Sequence, residues 1–285
     1  MRTWPAIDVR RLSVPDLLQA ALTDYEVAAI DEQSESAWRV FFQTPTERDR
    51  AAATLPGAFP DLALEPVDVP DEDWAARAQA SLKAIRVGNI IVAPPWDVPD
   101  AGSLRPVAAG GRLRKPIVVV VQPSMGFGTG HHATTRLCLA ALQQFEVTGG
   151  TVIDVGTGSG VLAIAARMLG AARVIAIDDD PDAVQSARDN AVLNGVTLDV
   201  RLVDFRTAVL SRFDLVLANL TGGLIMQSAL RLQDLTARRG PIILSGFLAE
   251  EEPAVLASFP RMRVLDRNQE EEWVCVTLQH EAAFE

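Results

Sequence analysis

A glycine-rich run in the middle of the chain has the residue types and spacing of a nucleotide-binding turn. An apolar stretch, Thr151–Val155, runs directly into Gly156, Gly158 and Gly160, and a helical pattern follows. Glycines let the backbone turn sharply and approach a ligand, and the first N–H groups of the helix stay free to bind it. This predicts a turn of Rossmann type. The dinucleotide fingerprint G-x-G-x-x-G is not present, because its third glycine would fall at Val161, and this argues against an NAD-dependent dehydrogenase.

Acidic residues accompany this turn on three predicted strands. Asp154 precedes the first glycine by two residues, and Asp178 follows Gly156 by 22 residues at the end of the next apolar strand. A carboxylate at the second position can accept hydrogen bonds from both hydroxyls of a ribose. Asp204 ends the third strand, and the family resemblance described below implies that it lies at the adenine pocket. Three further acids are predicted to cap the helix after the second strand, namely Asp179, Asp180 and Asp182.

A second run, Pro123–Thr135, contains three glycines, two histidines and three threonines and leads into another helical pattern. It predicts a tightly turned loop that ends in a helix cap, with its hydroxyl and N–H groups facing the neighbouring strand ends. His131 and His132 are adjacent and therefore point apart, and no third ligand is near in sequence, so we expect no metal site. A Ser-His-Asp hydrolase is not indicated, because no nucleophile elbow is present.

Together the two runs resemble the class I S-adenosylmethionine-dependent methyltransferases, and more closely the lysine methyltransferase family of ribosomal protein L-eleven (L11). The resemblance is strong from Gln122 to Asn219 and looser at Asp71–Trp74, Pro94–Trp96 and Glu271–Trp273. It implies a cofactor with an α-amino group and a sulfonium, which suit a carboxylate at the turn. The loop of Gly128, Thr129 and Gly130 is expected to cover the methionine end of this cofactor. The other positions implied to bind S-adenosylmethionine are Thr135, Asp154, Gly156, Gly158, Asp178, Asp204 and Asn219.

The reaction implied by the resemblance is in-line methyl transfer to an amine of L11, the expected protein partner. A lysine with a pKa near ~10.4 is mostly charged at neutral pH, so the enzyme must accept a neutral amine and desolvate it. It must also align that amine about 3–3.5 Å from the methyl carbon. No general base stands out, and Asn219 either orients the amine or only holds the cofactor.

Departures from the family pattern leave other substrates open. They occur at Ser124, at Leu220–Gly223 and across residues 97–115, which are longer than is typical. A lysine of another protein, such as an electron-transfer flavoprotein subunit, and a small molecule are the alternatives. A non-catalytic interaction protein would be expected to lose Gly156 or Asp178, and both are present.

The elements that must position these residues fall into two groups. Up to residue 70, the patterns predict the order β-α-β-β-α-β of a small ferredoxin-like domain, with helices over residues 17–22 and from Thr44 to a stop at Pro56-Gly57. Residues 71–115 are expected to hold a linker helix, starting near residue 74, and a connecting segment. From residue 116 to 285, apolar strands alternating with helices predict a mainly parallel, doubly wound sheet with an antiparallel edge.

Charge and composition narrow the partners. The 285 residues carry a net charge of −11, which argues against direct nucleic-acid binding. Residues 1–70 hold twelve acids, six arginines and no lysine, a net charge of −6, so we expect this domain to recognise a basic, lysine-rich protein. Two cysteines are too few for a disulfide framework or a structural zinc site. No apolar stretch approaches the ~20 residues of a membrane span, so no membrane partner and a cytoplasmic location are expected.

Overall fold

A computed structural model of the chain divides into two compact units, residues 1–82 and 83–285. It describes residues 3–10, 18, 21–22, 25–34, 36–70, 82–100, 102, 104–109, 112–114, 116–122 and 131–281. The helix expected over residues 17–22 is described only at Leu18, Ala21 and Leu22, which are helical. The linker helix expected from residue 74 lies largely outside the described residues. No helix in the described part of the chain is long and apolar enough to cross a membrane.

The first unit is built on a sheet of four antiparallel strands. These are β1 Thr3–Arg10, β2 Val27–Ser34, β3 Ala37–Phe42 and β4 Ala63–Pro70. Their spatial order is β2-β3-β1-β4, and helix α1, Pro45–Ala58, connects β3 to β4. With the helical residues before β2, this is the ferredoxin-like arrangement that the sequence predicts.

Helix α1 begins where its capping residues predict. The Oγ1 of Thr44 accepts the backbone N–H of Glu47 at 3.3 Å, which satisfies one of the free donors of the first turn. The predicted stop at Pro56-Gly57 is wrong by a small margin, because the helix continues to Ala58 with Pro56 inside its last turn. The proline removes one backbone donor there without ending the helix at once.

Short strands occupy part of the segment expected to connect the two domains. Strands β5 Ile85–Val87 and β6 Ile90–Ala93 form a hairpin. Strands β7 Val107–Ala109 and β8 Arg112–Arg114 form a second one. Strand β9, Ile117–Val120, pairs in parallel with β6. Residues 83–115 therefore belong to the same compact unit as the residues that follow.

The position of β9 corrects the sequence analysis, which grouped this apolar run with the strands of the large sheet. It lies in a separate three-stranded sheet of order β5-β6-β9. The side chain of Asn194 accepts the N–H of Val120 at 2.7 Å and donates to its carbonyl oxygen at 2.6 Å. An amide side chain thus satisfies backbone groups that a further strand would otherwise pair with.

A seven-stranded sheet forms the centre of the second unit. Its strands are β10 Thr151–Val155, β11 Arg173–Asp178, β12 Asp199–Leu202, β13 Leu215–Asn219, β14 Pro241–Leu248, β15 Met262–Glu270 and β16 Trp273–His280. Their spatial order is β12-β11-β10-β13-β14-β16-β15. The first five are parallel, and β16 is antiparallel to both of its neighbours. The predicted parallel sheet with an antiparallel edge is confirmed.

Helices cover both faces of this sheet. They are α2 Ala133–Leu142, α3 Val161–Met168, α4 Pro181–Leu193, α5 Gly222–Gln227, α6 Ala229–Leu235 and α7 Glu252–Ala257. Alternate strand residues enter two apolar layers: Val152 packs with α2 and α3, whereas Ile153 packs with α5 to α7. Helices α5 and α6 follow each other directly and are separated only at Ser228. With both faces covered, the carboxyl ends of the strands are where a ligand can enter.

Candidate functional site

The glycine turn connects the carboxyl end of β10 to the first residue of α3. Gly156, Gly158 and Gly160 have φ angles of +69°, +54° and +80°, which residues with a Cβ rarely adopt. A Cβ on Gly156 would lie 2.3 Å from Cδ2 of Leu220, and one on Gly160 would lie 3.1 Å from Cβ of Ala187. The first glycine therefore allows Leu220 to pack closely against the turn, and the last allows α4 to do the same.

A cavity of about 690 Å³ lies beside this turn, at the carboxyl ends of β10, β11 and β13. Its apolar lining among the described residues includes Ile177, Val203, Phe205, Leu220 and Leu224. The glycine turn and polar side chains supply the rest, chiefly Gly156, Gly158, Asp178, Asp179, Asp180, Asp182, Ser186 and Arg206. Its size and its mixture of apolar and directed polar groups are typical of a small-molecule site.

Asp178 lines the cavity, and two backbone N–H groups hold its carboxylate. Its Oδ2 accepts the N–H of Gly158 at 2.9 Å, and its Oδ1 accepts the N–H of Asp180 at 3.1 Å. A carboxylate oxygen has two lone pairs, so each oxygen can still accept a ligand hydroxyl. The carboxylate is thus fixed against the glycine turn and retains the capacity for a pair of hydroxyl groups.

The helix-capping prediction for the three acids after β11 is confirmed for one of them. Asp180 is the N-cap of α4, and its Oδ1 accepts the N–H of Asp182 at 2.8 Å. Asp182 itself lies in the first helical turn, and Asp179 precedes the cap. All three line the cavity, so the acidic character of this rim comes from the start of one helix.

The carboxylate of Asp154 lies beneath the turn instead of in the cavity, and the residue is 1% exposed. Its Oδ2 accepts the hydroxyl of Thr157 at 2.7 Å and the N–H of Ala163 at 3.2 Å. Its buried Oδ1 has no partner among the described residues. Burial raises the pKa of Asp154 to about 6, against the opposing effect of these hydrogen bonds. The contacts that the structure gives Asp154 support the turn.

Asp204 follows β12, and its carboxylate is engaged by Arg206. Its Oδ1 accepts the backbone N–H of Arg206 at 2.9 Å and the Nε–H of the same residue at 2.8 Å. The side-chain hydrogen bond is the main cause that lowers the pKa of Asp204. Among the described residues that line the cavity are its neighbours Val203, Phe205 and Arg206, and Asp204 is not one of them.

Two other predicted cofactor residues lie near the strand ends. Thr135 stands in the first turn of α2, where it is buried and donates its N–H to the carbonyl oxygen of His132 at 3.1 Å. Asn219 ends β13 opposite Ser245, and its side chain makes no hydrogen bond with the residues that the structure describes. Neither is among the described residues that line the cavity. Gly128, Thr129 and Gly130 lie outside the described residues, so their contact with a cofactor remains a prediction.

The two histidines at the end of the second glycine-rich run contact protein groups. Nε2 of His131 lies 2.8 Å from the carbonyl oxygen of Lys83. The ring of His132 packs edge-on against Trp273, with ring centroids 4.7 Å apart. Arg136 pairs with Glu270 and also donates to the carbonyl oxygen of His131. Sequence reasoning missed the ion pair between Arg136 and Glu270. The available signal was the resemblance at Glu271–Trp273, which lies where β15 connects to β16.

Asn190 is a second residue that sequence reasoning missed. Its side chain, 1% exposed, donates to the carbonyl oxygen of Ser159 at 2.9 Å and accepts the N–H of Gln122 at 2.8 Å. It thereby joins the glycine turn to the residue that precedes the second glycine-rich run. The available signal was the pair of asparagines, Asn190 and Asn194, whose spacing of four places them on one face of a helix.

The chain matches known proteins over most of its length. A family model described as ribosomal protein L11 methyltransferase matches residues 16–281. The ribosomal protein L11 methyltransferase of Geobacter sulfurreducens is 36% identical over 277 residues, which are 92% of this chain and 87% of that protein. The one from Myxococcus xanthus is 37% identical over 241 residues, covering 82% of this chain and 79% of that protein.

A solved structure agrees with the architecture. The crystal structure of a ribosomal protein L11 methylase from Lactobacillus delbrueckii subsp. bulgaricus superposes with a TM-score of 0.61 and 24% sequence identity. The match covers 70% of this chain and 99% of that one. Together with the strand order, this likeness confirms the predicted fold class.

Proposed function

Because the chain belongs to the ribosomal protein L11 methyltransferase family, we propose that it transfers methyl groups from S-adenosylmethionine to amino groups of L11. The observation that carries the proposal is the carboxylate of Asp178, fixed against a glycine turn that lines the same cavity. The family match favours L11 over the flavoprotein subunit and the small molecule that the sequence left open. As L11 is a ribosomal protein, we place the reaction in the cytoplasm.

The residues of the cavity fit S-adenosylmethionine. Gly156 and Gly158 line the cavity without a side chain, so the turn is suited to close backbone contact with a ligand. Asp178 offers two acceptor oxygens directly beside that turn, and the apolar side chains of Ile177 and Val203 suit a purine ring. When bound, the cofactor supplies a methyl group that is activated by a positively charged sulfur.

The chain itself contributes binding, orientation and exclusion of water. Asp178 holds the ribose through its hydroxyls, and the glycine turn sets the depth of the nucleoside. Asn219 ends β13, and its side-chain amide makes no hydrogen bond with any described residue. Its oxygen can therefore accept an N–H of the incoming amine. A charged lysine must lose its proton before it attacks, and with no base assigned the proton goes to solvent.

Methyl transfer to purified L11, followed with a radiolabelled cofactor, tests this function. We expect label in L11 and none in a ribosomal protein mixture from which L11 is removed. The variant Asp178→Asn should lose most of the transfer, whereas Asp189→Asn, an exposed acid of α4 outside the cavity lining, should keep it. Label in another protein and none in L11 would refute the substrate.

For substrate recognition, we propose that the acidic first unit binds the basic partner. Three of the six arginines in residues 1–70 are neutralised within the unit: Arg39 pairs with Asp8 at 2.5 Å and Arg48 pairs with Asp68 at 2.6 Å. Arg50 likewise pairs with Glu47. Three exposed acids form no ion pair with any described residue and are available to a partner: Glu26, Asp61 and Glu65.

Neutralising these three acids together separates recognition from cofactor binding. The triple variant Glu26→Gln, Asp61→Asn and Glu65→Gln should raise the KM for L11 at low salt and leave the Kd for S-adenosylmethionine unchanged. Complementary charge acts mainly on the encounter rate, so the difference from the unmodified protein should shrink as salt rises. Equal KM values at low salt would show that recognition lies elsewhere.

A further inference from the structure

Arg206 is a cation in a cavity whose charged lining is otherwise acidic. Of the described residues around the cavity, the charged ones besides Arg206 are Asp178, Asp179, Asp180 and Asp182. The sequence pattern assigned this end of the cavity to Asp204. The structure places the arginine two residues later in the lining and leaves Asp204 out of it.

Two carboxylates hold the guanidinium of Arg206. Its Nε donates to Asp204 at 2.8 Å, and its Nη2 lies 3.9 Å from Oδ2 of Asp179. The guanidinium therefore reaches from the loop after β12 toward the loop after β11, next to the apolar side chains of Val203 and Phe205. Both strand ends that border the expected nucleoside are linked through this one side chain.

We propose that Arg206 lays its guanidinium plane on the adenine ring of the cofactor, and that Asp204 acts by holding Arg206. An arginine is planar and more weakly hydrated than a lysine, so it stacks well on aromatic rings. Its charge is already balanced by Asp204 and Asp179, so it does not repel the positively charged sulfur. This inference rests on the proposed function, because it takes S-adenosylmethionine as the ligand.

Calorimetric titration with S-adenosylmethionine and S-adenosylhomocysteine tests the stacking. Both ligands carry adenine, so Arg206→Ala should weaken both by about two- to fivefold, the size of a cation–π contact made by an exposed arginine. Arg206→Lys keeps the charge but loses the plane, so it should weaken both ligands nearly as much. Arg188→Lys is the matched control, because Arg188 is an exposed arginine of α4 that donates to the carbonyl oxygen of Val200 outside the cavity lining.

A double-mutant cycle separates the roles of the two residues. If Asp204 acts through Arg206, Asp204→Asn should weaken binding several-fold alone and add nothing in the Arg206→Ala background. A further loss in that background would show that Asp204 contacts the adenine itself and would overturn this part of the inference. If Arg206→Lys binds both ligands with full affinity, Arg206 contributes only its positive charge, and the stacking is overturned.

The outcomes also distinguish this inference from the proposed function. If the unmodified protein fails to bind either ligand, the cofactor assignment fails and the inference falls with it. If the unmodified protein binds both and the Arg206 variants bind equally well, only the inference is overturned. An effect on S-adenosylmethionine alone would place Arg206 at the sulfur and also overturn the adenine contact.

Discussion

Asp154 and Asp178 lie on neighbouring parallel strands beside one glycine turn, yet their surroundings differ. Asp154 is paired in register with Ala176, inside the sheet, and its side chain enters the layer beneath α3. Asp178 stands at the end of β11, past the last residue of β10 in that register, and reaches the cavity. The comparison teaches that the level of a carboxylate along the strand decides whether it supports the turn or meets a ligand.

The two carboxylates also differ in their hydrogen-bond partners. Asp154 binds the hydroxyl of Thr157 in the turn and the N–H of Ala163 in α3, and it leaves one buried oxygen without a described partner. Asp178 binds N–H groups from two different loops and remains accessible to a ligand. One acid is therefore expected to make stability depend on pH, and the other is the proposed binding group.

The largest effect is expected at the glycine that separates the two acids. Gly156→Ala places a Cβ 2.3 Å from Leu220, so binding of S-adenosylmethionine should fall below detection in calorimetry. Gly195→Ala is the matched control, since Gly195 has a similar φ of +62° and no atom within 4 Å of the added Cβ. Both variants should lose about 1–2 kcal/mol of stability from the left-handed backbone, but only the first should lose the ligand. Full binding by Gly156→Ala would refute the placement of the cofactor.

Removal of the accessible acid comes next in size. Asp178→Ala should lose two charge-assisted hydrogen bonds to the ribose, each worth about 1.5–3 kcal/mol, and weaken the Kd at least about 100-fold. Asp154→Asn, measured beside it, should change the Kd much less because its carboxylate lies under the turn. Equal losses of affinity in the two variants would contradict the different roles inferred for Asp154 and Asp178.

Asp154 should make the free energy of unfolding depend on pH. Its pKa in the folded chain is about 6, above the unfolded value near ~3.9. The raised pKa favours the protonated, folded form, so this contribution is complete below about pH 4 and is lost as the pH rises through about 6. The loss amounts to at most about 3 kcal/mol.

Denaturant unfolding between pH 4 and 8 measures this contribution. The stability of Asp154→Asn relative to the unmodified protein should rise by up to about 3 kcal/mol across that range. Asp178→Asn, the paired control, should not reproduce this rise. If the free energies of unfolding of Asp154→Asn and of the unmodified protein change with pH in parallel, the raised pKa of the buried Asp154 carboxyl is contradicted.

The smallest expected effect concerns the cap next to Asp178. Asp180→Ala removes the side-chain acceptor of the Asp182 N–H and should cost about 1 kcal/mol of stability. It keeps the backbone N–H that binds Asp178, so the Kd for S-adenosylmethionine should change far less than in Asp178→Ala. Asp179→Ala, with an exposed side chain and no capping contact, should leave the stability nearly unchanged.

Local patterns were sufficient to predict both folds and the glycine turn. Strand alternation, capping residues and glycine spacing act over a few residues, and so the positions of Gly156, Asp178 and Asp180 follow from neighbours in sequence. The level of Asp154 inside the sheet depends on strand register, which a single strand does not reveal. The sequence therefore predicted an acid near the turn but not its burial.

Contacts over long separations account for what the sequence did not predict. Arg206 lines the cavity whereas Asp204 does not, and no spacing rule decides which residue of a loop faces a cavity formed by several strand ends. The link from Asn190 to Gln122 joins residues 68 positions apart, and the placement of β9 depends on Asn194 in the same way. Such contacts appear only when the helix and the strand are packed together.

The parallel pairing of β6 with β9 has a consequence for how the chain can vary in length. Ala93 and Val120 are partners in that pairing, and the N–H of Val121 donates to the carbonyl oxygen of Ala93 at 2.9 Å. Both ends of the segment over residues 94–116 are therefore fixed. Gln122, which follows β9, is held in addition by a hydrogen bond to Asn190. Closing a longer loop between fixed ends costs little free energy. We therefore expect insertions and deletions in this segment to leave the position of the cofactor-site residues unchanged. The greater length expected for residues 97–115 is thus compatible with an unaltered site, and this segment is a suitable position for grafting a tag or a reporter.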